Sequence, residues 1–280
     1  MTSSTHIPTL IPYKFLIAFI GLFGTLLLHA GPSMAQAPLF ISPQRVELFD
    51  QRRSEVLTVS NPTENTASYE LGLEDYSMSE QGTTMRVERL EHSARRMVRF
   101  SPRSFTLQPG QTQTIRVVSR RPNQLDAGTY RTHVVFREVP NPSAADDKTN
   151  PTTGNMSFGI GFQFNIAIPI VVTAGKAVSS VMVEGAEILP GSIVVQLTRD
   201  GNADAVFRLH MHLERPSGEK EEIITDNVIR IYRERDWVKR SVVVVWPGGE
   251  VATSGNLIIT LTPAERNETD VLDEHIVPLS

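Results

Sequence analysis

Apolar and polar residues alternate over short spans along most of this chain. "RVELFD", "SEVLTVSN", "ASYELGLEDY", "FTLQPG", "QTIRVVSR" and "TYRTHVVFREV" alternate or cluster β-branched and aromatic residues, and turn-forming runs such as "NPTEN", "SEQG", "QPGQ" and "RPNQLDAG" separate them. No apolar period of 3.6 residues lasts longer than about two turns. The spacing predicts an all-β sandwich. The segment "VPNPSAADDKTNPTTGN", residues 139–155, has no large apolar residue after Val139 and reads as a mobile loop. A second strand set follows: "SSVMVEGAEIL", "SIVVQLTRDG", "VFRLHMHLER", "EEIITDNVIRIYR", "KRSVVVVWPGG" and "GNLIITLTP". The chain therefore divides into an N-terminal β domain over 36–174, a smaller β-sandwich over 175–265 and an acidic, loosely held tail over 266–280. The join falls near Val172 to Ala177.

One stretch departs from this rhythm. In "MSFGIGFQFNIAIPIVV", residues 156–172, Met156, Phe158, Ile160, Phe162, Phe164, Ile166 and Ile168 share one register. Small or uncharged residues lie between them, so the strand has one apolar face and one nearly bare face. No charge interrupts it. Such a strand is an aggregation hazard if left exposed. It either faces the domain's own core throughout or serves a partner.

Lys14, the apolar run "FLIAFIGLFGTLLL" and the small residues of "GPSMAQA" follow the order of a secretory leader, with cleavage expected after Ala35. The run falls short of the roughly 20 residues that span a bilayer, and no later stretch is long and apolar enough to span one. The mature chain is thus expected to be exported and not membrane-spanning. It has no cysteine, which excludes thiol catalysis, thiolate metal sites and disulfides. A mature chain of this length can bury its cores without such staples. Residues 36–140 carry 14 arginines, no lysine and 12 acids, for a net +2, whereas residues 141–280 come to −7. Neither value suggests a nucleic-acid protein. An all-arginine complement suits fork-like pairing with carboxylates.

"ISPQRVELFD", "LTVSNPTENTASYELGLEDY", "MVRFSPRSFTLQPGQTQTIRV" and "YRTHVVFREVP", followed by the variable loop and the alternating strand, resemble in order and spacing the periplasmic pilus-assembly chaperones, the PapD-like family. The likeness covers roughly 130 positions. The second domain matches only in size, position and β character. The resemblance implies two immunoglobulin-like domains arranged as a boomerang with a cleft between them. It implies a periplasmic, non-enzymatic protein without cofactors, whose partners are pilin-like subunits and an outer-membrane usher. A self-capped dimer is one state open to the free chain. In that family the long strand after the variable loop fills the groove of a subunit that lacks its last strand. Phe158, Ile160, Phe162 and Phe164 are the residues that this role falls on, and Ile166 to Val172 are expected to pack at home. The family also grips the subunit's terminal carboxylate with a basic pair. Arg45, in "SPQRVEL", matches its arginine, but Ala167 stands where the family carries a lysine, so the second contact falls to Arg131 or Lys176. "IAIPIVV" looks more like the divergent branches, including those that serve archaic or spore-coat-type pilins. The other reading is an exported structural or adhesive β-sandwich subunit of a surface fibre, although residues 36–40 are too few for a donor arm.

"HMH" places His210 and His212 on one face of a strand, but no third metal ligand is apparent, and the expectation is no metal. Nucleophile-elbow, phosphate-loop and dinucleotide patterns are absent. Trp246 is expected in the core, and Trp237 is open between core and contact.

Overall fold

The computed structural model describes residues 39–140, 164–234, 237–264 and 270–279, which belong to one compact unit. These residues form strands and connecting loops only. The leader expected over 1–35, most of the variable loop, and Phe158, Ile160 and Phe162 lie outside the described residues.

The first sandwich has two sheets. One orders β1 (Phe40–Ser42), β3 (Ser54–Ser60), β8 (Thr112–Ser119) and β6 (Val98–Ser101). The other runs β2 (Val46–Leu48), β10 (Asn165–Ala174), β9 (Gly128–Val139), β4 (Ala67–Met78) and β5 (Thr84–Val87), with β7 (Ser104–Leu107) also on β4. Alternate side chains from both sheets meet between them. Val46, Leu48, Leu57, Ile115, Val117, Phe136, Ile170 and Val172 are all buried in this core.

The second sandwich packs β11 (Ser179–Leu189), β12 (Ser192–Gly201) and β15 (Trp237–Val245) against β14 (Lys220–Ile231), β13 (Ala205–Glu214), β16 (Gly255–Pro263) and β17 (Asp273–Leu279). On β13 the inward residues Phe207, Leu209, Met211 and Leu213 alternate with half-buried outward ones. Trp246 lies in this core, as its sequence context suggested. The side chain of Trp237 is outside the description.

The chain end corrects one expectation. Residues 273–279 are not a loose tail: β17 pairs antiparallel with β16 from Leu261↔Asp273 to Gly255↔Leu279, and Leu279 is buried in the second core. An edge strand tolerates the charges and the Pro278 that made this segment look unstructured, because one side of its backbone needs no partner.

Candidate functional site: an open strand edge and an arginine pair

β9 and β10 pair antiparallel over the whole of Asn165–Ala174. On the other side of β10, β2 runs parallel but covers only Ile170–Val172. Among the described residues, Asn165–Pro169 thus have a strand partner on one side only. The backbone directions follow from one bond: the N–H of Glu138 donates to the carbonyl of Phe164 at 3.3 Å. Residues of an antiparallel strand alternate in the side to which their backbone groups point. Asn165, Ala167 and Pro169 therefore turn theirs away from β9, toward the open edge. Pro169 has no N–H, and it occupies the last position of that edge.

The side chains of β10 divide by the same parity. Ile168, Ile170, Val172 and Ala174 are buried in the first core, and Ile166 packs against it. Phe164, in the same register, has run past that packing and is 48% exposed. Ala167, at the position of the expected lysine, is half-buried opposite Val135 on the other face.

That other face carries a polar array. Glu47, Val171 and Arg131 lie in one row across β2, β10 and β9, and Pro169, His133 and Glu74 lie in the next, across β10, β9 and β4. Arg45 immediately precedes β2, at the point where the open edge ends. Its Nε donates to Glu47 Oε1 at 2.7 Å, and its Nη2 reaches Asp204 Oδ2 of the second sandwich at 3.5 Å. Burial works against the charge of Arg45, but the bond to Glu47 and the nearby Asp204 outweigh it and raise its pKa above the ordinary value.

Arg131 meets the second sandwich as well. Its Nη2 donates to Glu234 Oε1 at 2.6 Å and to the carbonyl of Tyr76 at 2.7 Å. Glu234 Oε1 also accepts from the N–H of Met78 at 2.8 Å. The ring of Tyr232 lies close to both arginines, with the guanidinium carbon of Arg131 at 3.7 Å and that of Arg45 at 5.8 Å from its centroid. Access separates them: the side chain of Arg45 is 18% exposed and that of Arg131 is 4%. Arg45 Nη1, Arg131 Nε and Nη1, and His133 Nδ1 are buried without a hydrogen-bond partner among the described residues. The two arginines therefore hold donor capacity beyond what the described residues use.

Of the two candidates for a second basic residue, Arg131 is the one that stands beside Arg45. Lys176 is exposed in the connection after β10, and the one bond described there is its carbonyl accepting from Asn202 Nδ2 at 3.2 Å. Asp204, Tyr232 and Glu234 had no signal in the sequence. They belong to the second sandwich, where Asp204 is held by the hydroxyl of Thr129 (3.1 Å) and the N–H of Arg233 (2.8 Å).

Next along the face, Glu74 accepts from Arg137 Nη2 and from the Tyr76 hydroxyl. Burial raises its pKa, but those two bonds and the charges of Arg137 and Arg86 leave it below the ordinary value. His133 stacks edge-on to Tyr76 with centroids 4.8 Å apart. Burial, then the charges of Arg131 and Arg45, push its pKa from 6.5 down to about 4.

A pH dependence follows. Between about pH 6.5 and pH 4 the unfolded chain protonates this imidazole while the folded chain keeps it neutral. The contribution of His133 to stability therefore falls as the pH drops through that window, by about 3 kcal/mol in all. Urea unfolding of the wild type and of His133→Asn at pH 7 and pH 4 checks this. The difference between the two should shift by that amount in the variant's favour at the lower pH; parallel pH curves would contradict it.

Outside this region, His210 Nε2 lies 3.1 Å from Thr262 Oγ1, and His212 Nε2 is buried without a hydrogen-bond partner among the described residues. Among the described residues no three His, Asp or Glu side chains converge on a metal site.

No family model matches the chain, and no curated protein matches it. Solved structures do. A chain of the chaperone–tip adhesin complex of CFA/I fimbriae is similar over 87% of this chain and 99% of that one, at 14% identity and a TM-score of 0.45. The CsuC–CsuE chaperone–tip subunit pre-assembly complex from the archaic Csu pili of Acinetobacter baumannii contains a chain similar over 87% and 98%, at 11% identity and a TM-score of 0.46. The Salmonella enterica SafA pilin–SafB chaperone complex contains one similar over 88% and 99%, at 11% identity and a TM-score of 0.43.

Proposed function

We propose that this protein is a periplasmic chaperone that captures pilin-like subunits by strand addition and delivers them to an outer-membrane assembly platform. The observation that carries the reading is the edge of β10 over Asn165–Pro169, which has no strand partner among the described residues on that side and ends at Arg45. A subunit strand laid along that edge gains backbone hydrogen bonds that are tolerant of its sequence, while alternate side chains confer selectivity. Phe158, Ile160, Phe162 and Phe164 extend the apolar register beyond the home core and supply those side chains. Each one buried contributes roughly 1.5–3 kcal/mol gross, offset in part by the cost of ordering the strand.

Along Asn165–Pro169, β10 runs toward Arg45, and a strand that pairs with this edge and presents its terminal carboxylate to Arg45 ends there too. The captured strand therefore runs parallel to β10. Arg45 is the accessible half of the carboxylate anchor and binds it directly. Arg131 acts from behind: Glu234 and Tyr76 hold it, and it adds positive charge and fixes the Tyr232 ring against which Arg45 rests. An arginine on β9 thus takes the place of the lysine that Ala167 lacks. Release needs no cofactor, because exchange of the lent strand for one better packed in the fibre supplies the driving force.

Phe162→Glu tests the reading. A small β-rich subunit should co-purify from the periplasm with the wild type and be lost with the variant, whose thermal unfolding stays unchanged. A variant that folds normally and keeps the same partners would place Phe162 in the protein's own core. A tagged wild type found built into a surface fibre would favour the structural-subunit reading.

A further inference from the structure

The far side of the first sandwich carries a second charged surface, remote from the strand edge. On the sheet β1-β3-β8-β6, Leu57, Val59, Ile115 and Val117 turn into the core. The residues between them face outward. Register places Val56 beside Arg116 and Ser101 in one row, and Ser54 beside Val118 and Arg99 in the next. The outward positions of the four strands carry hydroxyls, apolar groups, Arg99 and Arg116, and no carboxylate.

Arg53, Arg96 and Arg120 gather at the same end of the sheet. The carbonyl of Arg53 accepts from Ser119, the N–H of Arg120 donates to Met97, and the carbonyl of Arg96 accepts from the Arg99 side chain at 3.0 Å. All five arginines are exposed, and none forms an ion pair among the described residues. The neighbouring arginines differ: Arg52 pairs with Glu55, and Arg121 with Asp50. Two large apolar side chains share the face, Val56 at 47% and Phe40 at 58% exposed.

We propose that this face binds an anionic lipid surface. Five exposed guanidinium groups without counter-ions among the described residues, two on a sheet face without carboxylates and three at its end, complement a continuous layer of phosphate headgroups. Arginine pairs bidentately with phosphate and is only weakly hydrated. Phe40 and Val56 supply the apolar contacts that an interfacial protein sinks below the headgroups. A discrete acidic protein would have to match five separately placed cations, whereas a bilayer presents phosphate wherever an arginine falls. The surface lies on the sheet opposite the strand edge, so the docked protein keeps β10 and Arg45 free. This inference does not depend on the chaperone reading.

Flotation with vesicles of phosphatidylcholine alone, and of phosphatidylcholine containing phosphatidylglycerol, tests the proposal. The wild-type chain, freed of its leader, should float with the anionic vesicles and not with the neutral ones. Binding should fall steeply as salt is raised. Each arginine neutralised should weaken partitioning about fivefold, so Arg99→Gln with Arg116→Gln should lower it about 25-fold while the melting temperature holds. Failure of the wild type to float with anionic vesicles would overturn the proposal. So would a folded double variant that floats as well as the wild type, or a face that instead forms a salt-sensitive complex with an acidic protein while the vesicles stay bare.

Discussion

Arg45→Ala is expected to lose subunit capture by two orders of magnitude or more while remaining folded. Arg45 is the guanidinium that a ligand on the open edge of β10 can reach. Removing one partner of a desolvated, hydrogen-bonded charge pair costs roughly 2–5 kcal/mol of binding, largely because the other charge is left unpaired. The folded chain itself loses little. Glu47 is mostly exposed, and Asp204 keeps its bonds from Thr129 and Arg233. The pair with Glu47, whose side chain is 58% exposed, is of the surface kind that contributes at most about 1 kcal/mol to stability. Titration of the subunit that co-purifies with the wild type, alongside urea unfolding, separates the two effects. Unchanged affinity, or a collapse of stability in parallel with affinity, would remove Arg45 from the anchor.

Arg131→Ala should do the opposite. This side chain is buried, holds Glu234 and the Tyr76 carbonyl, and lies against the face of Tyr232. Its loss leaves the Glu234 carboxylate, only 13% exposed, with the N–H of Met78 as its remaining described partner. An uncompensated buried charge costs about 3–5 kcal/mol. Pairing Arg131→Met with Glu234→Gln removes both charges and keeps much of the volume, so the double variant should recover most of that loss. Urea denaturation of the wild type, Arg131→Ala and the double variant measures this. Equal destabilisation in both variants would mean that packing, not charge pairing, dominates the contact between the sandwiches.

The contrast shows what could be read from the residues. The strands were legible because alternation is a local signal: "SEVLTVSN" becomes β3 and "QTIRVVSR" becomes β8 with little change of bounds. β5 escaped because four residues, "TMRV", are too few to show a period. β17 escaped because an edge strand keeps few apolar positions, and "DEHIVPL" spends several residues on charge and proline. Arg45 could be singled out through the residues that flank it. Its surroundings could not. Asp204, Tyr232 and Glu234 lie more than 150 positions away, in "GNADAV" and "IYRER", and nothing local marks them as facing an arginine on another domain. "TYRTHVVFREV" reads as a strand buried on one face, yet Arg131, on its other face, is buried as well, because Glu234 and Tyr232 of the second sandwich lie against it. Burial of that kind depends on how two domains meet. It cannot be inferred from the period of a single strand.

Amide hydrogen exchange over residues 156–169, measured with and without a bound subunit, tests most directly whether β10 lends its edge. The backbone N–H groups of Asn165 and Ala167 point to the open edge, so they and alternate amides before them should gain protection when the subunit binds, and Arg45→Ala should weaken that gain. A subunit that binds tightly while these amides exchange at an unchanged rate would contradict the account.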